Sequence, residues 1–269
     1  MSWSTQKTEA IVIALHPMRE ADRWYRALTP VFGKIEFTGR GAQKVLAKLA
    51  PHLEPFAVVD LEIVRGRRST TVISVERKHV FSALDHQLER RILASTSGIL
   101  LDLYTREGLD DPALYQFFID WLAFLNDDTP LTSAQSTMLL AGFVLRLLSR
   151  LGYEVELDTC LSCRKDVGDR RYRWHSARGG LVCGDCESSD SQDWFAAREI
   201  RRETLEFLRF LKRASWQEIL EYRGDKETVQ ESSLMIHDLV LHHIPTYIDT
   251  PFWKGLLASE WLDSRNKSL

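Results

Sequence analysis

Two hydrophobic periodicities divide the chain near residue 80. Before it, apolar residues gather in short β-type runs: Ala10–Leu15, Trp24–Leu28, Lys34–Phe37, Val58–Val64 and Thr70–Val75. In the fourth run Val59, Leu61 and Ile63 alternate with Asp60 and Glu62. A strand there carries apolar side chains on one face and carboxylates on the other. Gly33, Gly39, Gly41 and Gly66 punctuate the runs, and the spacing predicts a short helix over Ala42–Ala50, stopped by Pro51. Five short strands with one helical interruption are compatible with a small OB-fold barrel.

Beyond residue 80 the period becomes helical: Ala83–Arg106, Pro112–Leu125, Ser133–Leu151, Phe195–Arg213 and Val229–His243. In the third of these Leu139, Leu140, Phe143, Val144, Leu147, Leu148 and Leu151 share one face, and Gly152 supplies a stop, so it is expected to be the central core helix. The longest apolar run, Met138–Leu145, is far too short for a membrane span. The expected class is therefore α+β and multi-domain. An OB-fold β-barrel over residues 1–80 precedes an α-helical domain over residues 81–269, which carries an inserted four-cysteine zinc module at residues 158–188.

The cysteine inventory points to that module. All four cysteines, Cys160, Cys163, Cys183 and Cys186, fall in two CxxC pairs with nineteen residues between them. Each CxxC turn delivers two thiolates to one metal, so the pattern reads as a single tetrahedral Zn²⁺ site. Disulfide staples are unnecessary in a 269-residue chain with 44% hydrophobic content and no N-terminal secretion signal. Four protein ligands leave no open position for water, which makes the expected role structural, and a reducing cytoplasm the expected location. His175, between the pairs, then reads as an ordinary loop histidine.

Charge is asymmetric. Residues 1–80 hold thirteen Lys and Arg against eight Asp and Glu, a balance of +5 within a chain whose formal total is −3. A basic N-terminal piece and an acidic remainder suggest an anionic partner for the barrel. Its cations concentrate in two places. Arg40, Lys44 and Lys48 lie in the glycine-broken segment, and Arg65, Arg67 and Arg68 surround Gly66 at an expected hairpin. Such loops could straddle a phosphate backbone, while Trp24, Tyr25 and Phe37 are expected in the barrel core more than under stacked bases. Arg198, Arg202, Arg209 and Arg213 fall near one helical stripe beside Glu199, Glu203 and Glu206, which suggests an internally paired face rather than a partner site. Gly39–Lys44 (GRGAQK) lacks the spacing of a phosphate loop or dinucleotide fingerprint, and no HExxH, GxSxG or kinase signature occurs.

Glu20–Thr29 (EADRWYRALT), followed by Phe32–Lys44 (FGKIEFTGRGAQK), resembles the RecO family of bacterial recombination mediators, and the late CxxC pairs and domain order agree. The resemblance implies an OB-fold that binds single- and double-stranded DNA, followed by a helical domain with a zinc module. It also implies annealing of complementary strands and, with RecR, loading of RecA on strands coated by single-stranded-DNA-binding protein, without catalysis of bond breaking. The alternative reading is a zinc-ribbon adaptor that binds protein or RNA.

Overall fold

The computed structural model describes residues 4–18, 21–40, 42, 49–66, 70–168 and 170–243. The chain forms two compact units, Met1–Pro130 and Leu131–Leu269.

In the first unit five strands close a barrel: β1 (Ser4–Met18), β2 (Asp22–Thr29), β3 (Gly33–Gly39), β4 (Val58–Arg65) and β5 (Thr70–His79), in the order β1-β2-β3-β5-β4. This is an OB-like topology. β1 makes closure possible because it serves two neighbours. Its first half pairs with β4 (Ser4↔Arg65 to Ile11↔Val58) and its second with β2 (Ile11↔Leu28 to Met18↔Asp22), with an irregularity between Val12 and Ala14. Bulges of this kind bend a strand around a barrel corner. The alternation expected in β4 holds: Val59, Leu61 and Ile63 are buried with Tyr25, Phe37 and Leu53, while Asp60 is exposed. Of the helix expected over Ala42–Ala50, residues 43–48 lie outside the described residues, and Ala50–His52 form a 3₁₀ turn.

Helices α1 (Leu88–Tyr104) and α2 (Pro112–Leu125) belong to this same unit, so the compact grouping extends past the change of period at residue 80. α1 begins five residues later than its periodicity suggested. Ser82–Asp85 make a 3₁₀ turn instead, where the Ala83 amide donates to Asn126 Oδ1 and Gln87 donates to the Asp128 carbonyl. Asp111 caps α2 by accepting from the Leu114 amide, and Pro112 occupies the first helical position, where its missing N–H costs nothing.

In the second unit α3 (Ser133–Arg150) is the buried core helix, begun by a reciprocal Thr132/Gln135 capping box. Gly142 on α3 lets a short helix, α6 (Trp216–Glu221), approach closely: a Cβ there would lie 3.0 Å from Ile219 Cδ1. The expected helix over Phe195–Arg213 starts only at Arg202, because Arg198–Glu199 pair with a strand of the cysteine-bearing sheet. Longest of the remaining helices is Lys226–His243, three residues longer at its start than expected.

Candidate metal centre and nucleic-acid interface

The second unit holds a four-stranded sheet of β6 (Glu156–Cys160), β7 (Tyr172–His175), β8 (Gly180–Cys183) and β9 (Arg198–Glu199), in the order β6-β8-β7-β9. β6 and β8 are parallel neighbours, and each ends in the first cysteine of a CxxC pair, Cys160 and Cys183. Cys163 follows in the turn after β6, and Cys186 in the first turn of α4 (Gly184–Ser189). Parallel strands ending side by side are what bring the two pairs together.

All four sulfurs lie within 4.8 Å of one another, and Cys163 Sγ is 3.9 Å from Cys183 Sγ. A tetrahedral ion bound at about 2.3 Å to each sulfur separates its ligands by about 3.8 Å, so that edge fits a metal and is far too long for a disulfide. Backbone amides finish the site. Cys183 N donates to Cys160 Sγ at 3.3 Å, and Arg164, at φ +59°, turns the first CxxC loop back so that its amide meets the Cys160 carbonyl at 2.9 Å. Burial opposes ionisation of Cys160, but amide donors from Cys163, Cys183 and Ser162 outweigh it and bring the thiol down to about 6. Burial pushes Cys183 up to about 12, despite the Cys186 amide. Four adjacent sulfurs therefore need a cation before all can be thiolates.

Around the cluster Cys160, Val182, Cys183, Trp194 and Ala197 form a small core. Trp194 is the part sequence reasoning missed. It follows the polar stretch Glu187–Asp193, and its ring is covered by the Arg178 guanidinium at 4.3 Å and met edge-on by His175 at 5.7 Å. His175 is thus no loose loop residue: it closes β7, is 5% exposed, and its Nδ1 accepts from the Arg178 amide. Burial, reinforced by Arg178, lowers its pKa.

The arginines following the cluster are engaged within the unit. On α5 (Arg202–Arg213), Arg209 donates to the Leu157 carbonyl at 2.7 Å and pairs with Asp158, which also takes Arg213, while Arg198 pairs with Asp238 at 3.1 Å. The internally paired reading of this stretch holds for those three, though Arg198 sits on β9 rather than on the helix.

On the barrel, many of the cations counted in the sequence are also engaged. Arg26 pairs with Glu36 at 2.6 Å and with Asp102 of α1 at 2.5 Å, and Lys34 reaches the same Asp102 at 3.1 Å. Lys78 pairs with Glu9 at 2.7 Å. Arg40 is different: exposed, just past the end of β3, it has no ion pair among the described residues. β3 meets β5 at Thr38↔Thr71, and Thr70 pairs with Arg65 of β4. The end of β3, just before Arg40, therefore lies beside the start of β5, which in turn pairs with the end of β4. Lys44, Lys48, Arg67 and Arg68, with the side chain of Arg65, lie outside the described residues. Tyr25 and Phe37 are core residues, buried and stacked at 5.4 Å, as expected. Trp24 is half-buried, beneath the Arg26 guanidinium at 4.3 Å and beside the His16 ring at 5.4 Å.

Fold and site define an α+β protein with an OB-like barrel in its first unit and, in its second, helices and a four-cysteine cluster able to hold a metal ion. Residues 1–81 match the family described as Recombination protein O N terminal, and residues 85–250 match Recombination protein O C terminal. The chain belongs to the RecO family. A protein of Dehalococcoides mccartyi (strain CBDB1) named DNA repair protein RecO is 26% identical over 261 residues, covering 96% of this chain and 95% of its own. Proteins of the same name from Cutibacterium acnes and Roseiflexus sp. (strain RS-1) are 28% and 30% identical, over 89% and 68% of this chain and 94% and 63% of theirs. Among the described residues no helix is long and apolar enough to cross a membrane.

Proposed function

We propose that this protein is a DNA-binding recombination mediator of DNA repair. It anneals complementary single strands and, with RecR, helps load RecA onto strands coated by single-stranded-DNA-binding protein. The observation that carries this reading is the family membership of both parts of the chain, joined to a barrel that leaves Arg40 exposed just past the end of β3. Lys44, Lys48, Arg67 and Arg68 complete the proposed phosphate contacts on both single- and double-stranded DNA. Lysine and arginine on loops hold the backbone by counterion release and leave bases free to pair. The mechanism is positional: no bond of the nucleic acid is broken, and nucleotide hydrolysis is not required. We assign the cytoplasm as its location.

The cluster of Cys160, Cys163, Cys183 and Cys186 is assigned to a structural Zn²⁺, because four cysteine sulfurs within 4.8 Å of one another would complete a tetrahedral coordination shell and leave no ligand position for a substrate. The ion would tie the ends of β6 and β8.

The deciding experiment is the rate at which the purified protein anneals complementary oligonucleotides already coated with the cognate single-stranded-DNA-binding protein, without nucleotide. Acceleration is expected. A folded, metal-loaded protein that leaves the rate unchanged overturns the mediator reading and favours an adaptor that binds protein or RNA.

A further inference from the structure

We propose that Cys163 is an oxidation site, at which a hydroperoxide opens the cysteine cluster by driving a disulfide between Cys163 and Cys183. The consequence, metal release, rests on the zinc reading above; the choice of sulfurs rests on the geometry of the chain.

The four sulfurs are not equivalent. Cys160 and Cys183 are buried, Cys186 is half-buried, and Cys163 alone is exposed. Arg164 and Lys165 follow it directly, both exposed and without an ion pair among the described residues. An accessible thiolate beside cations is the environment in which cysteine reacts fastest with oxidants.

Selection of the second sulfur follows from what each one already touches. Cys160 is buried at the end of its strand, and its Sγ already accepts the Cys183 amide at 3.3 Å. Cys183 lies on the opposite CxxC turn with its sulfur 3.9 Å from that of Cys163. Closing that gap to about 2.05 Å asks for a shift of the exposed turn carrying Cys163, not of the buried strand end.

The chemistry balances in two steps. The Cys163 sulfur attacks the O–O bond of the hydroperoxide; an S–O bond forms, the O–O bond breaks, and the departing oxygen takes a proton and leaves as water or alcohol. Cys183 then attacks the resulting sulfenic acid; the S–S bond forms, and the sulfenic oxygen leaves as water with a second proton. Two thiolates together lose two electrons, and the hydroperoxide gains them. A metal left with only Cys160 and Cys186 as protein ligands would be released, and the ends of β6 and β8 would lose their tie.

The test uses the full chain, with metal content measured first by mass spectrometry of the native protein. Hydrogen peroxide is added while a chromophoric chelator follows zinc release and peptide mapping follows the thiols. Expected are a sulfenic acid trapped at Cys163, a Cys163–Cys183 disulfide that grows in step with zinc release, and recovery with a thiol reductant plus zinc. The charge-reversed variant R164E/K165E keeps all four ligands and should release zinc about three-fold more slowly. A Cys160–Cys163 or Cys183–Cys186 disulfide, or zinc release that precedes any change at Cys163, overturns the proposal. Protein that carries no metal overturns the zinc reading instead, and mapping of the peroxide-formed pair in that sample still decides the choice of sulfurs.

Discussion

Arg26 of β2 and Asp102 of α1 meet at 2.5 Å, and the same carboxylate holds Lys34 at 3.1 Å. One acid thus neutralises two of the cations that make the first 80 residues basic. With the Asp102 side chain 14% exposed and that of Lys34 9%, this is a mostly desolvated cluster. Asp102→Ala should cost roughly 3 kcal/mol of first-unit stability, because it leaves the buried Lys34 ammonium without a carboxylate, while Arg26 keeps Glu36. Chemical denaturation checks this. If the unfolding midpoint is unmoved, the cluster is a surface feature and not part of the fold's support.

For the proposed interface the informative variant is Arg40→Glu with Lys44→Glu. Affinity for single strands should fall for every sequence tried, and the dependence of log affinity on log salt should become shallower by about 0.7 for each phosphate no longer neutralised. Fluorescence anisotropy over a salt series measures both. An unchanged slope would remove this segment from the interface.

Cys160→Ser should abolish stoichiometric zinc binding and melt the sheet of the second unit, given that metal binding to such sites supplies about 10–16 kcal/mol of apparent folding free energy. Zinc stoichiometry and thermal unfolding report the two effects separately. Unaltered values in both would show that the cluster does not depend on an ion.

His175 predicts a pH dependence with a definite sign. Burial, then Arg178, hold its folded pKa below the ordinary 6.5, so the unfolded chain binds the proton more readily. Its contribution is fully present above 6.5 and is lost as pH falls from there toward the folded value, where the loss levels off. Denaturant midpoints of the metal-saturated protein across that window should drop on acidification. His175→Gln should flatten the drop; an equal slope in the variant would place the titration elsewhere.

Much of the architecture was legible along the chain because it depends on neighbours in sequence. The alternation of Val59, Leu61 and Ile63 against Asp60 and Glu62 marks a half-buried strand wherever it folds, and Leu139–Leu148 mark a buried helix. Errors fell where a distant partner decided. The stretch Phe195–Glu199 has helical spacing, but Arg198 and Glu199 are drawn into a ladder with Trp174 and Arg173. Nor does any local pattern announce the burial of Arg90 of α1, which is 2% exposed and donates to the Thr129 and Phe124 carbonyls and to Asp127, closing the end of α2. Its pKa is lowered by burial, against the pull of Asp127 and Asp128.

By itself, then, the sequence determined the strand and helix periods, the CxxC spacing and the positions of the basic residues, all properties of short segments. Only the tertiary structure decided which cations remain available, since Arg26, Lys34 and Arg209 are paired with groups 10 to 76 residues away whereas Arg40 is not. It also decided that Cys163 faces solvent while Cys160 and Cys183 do not. Charge and exposure at a position depend on what packs against it, and contacts between residues remote in sequence carry no periodic signal.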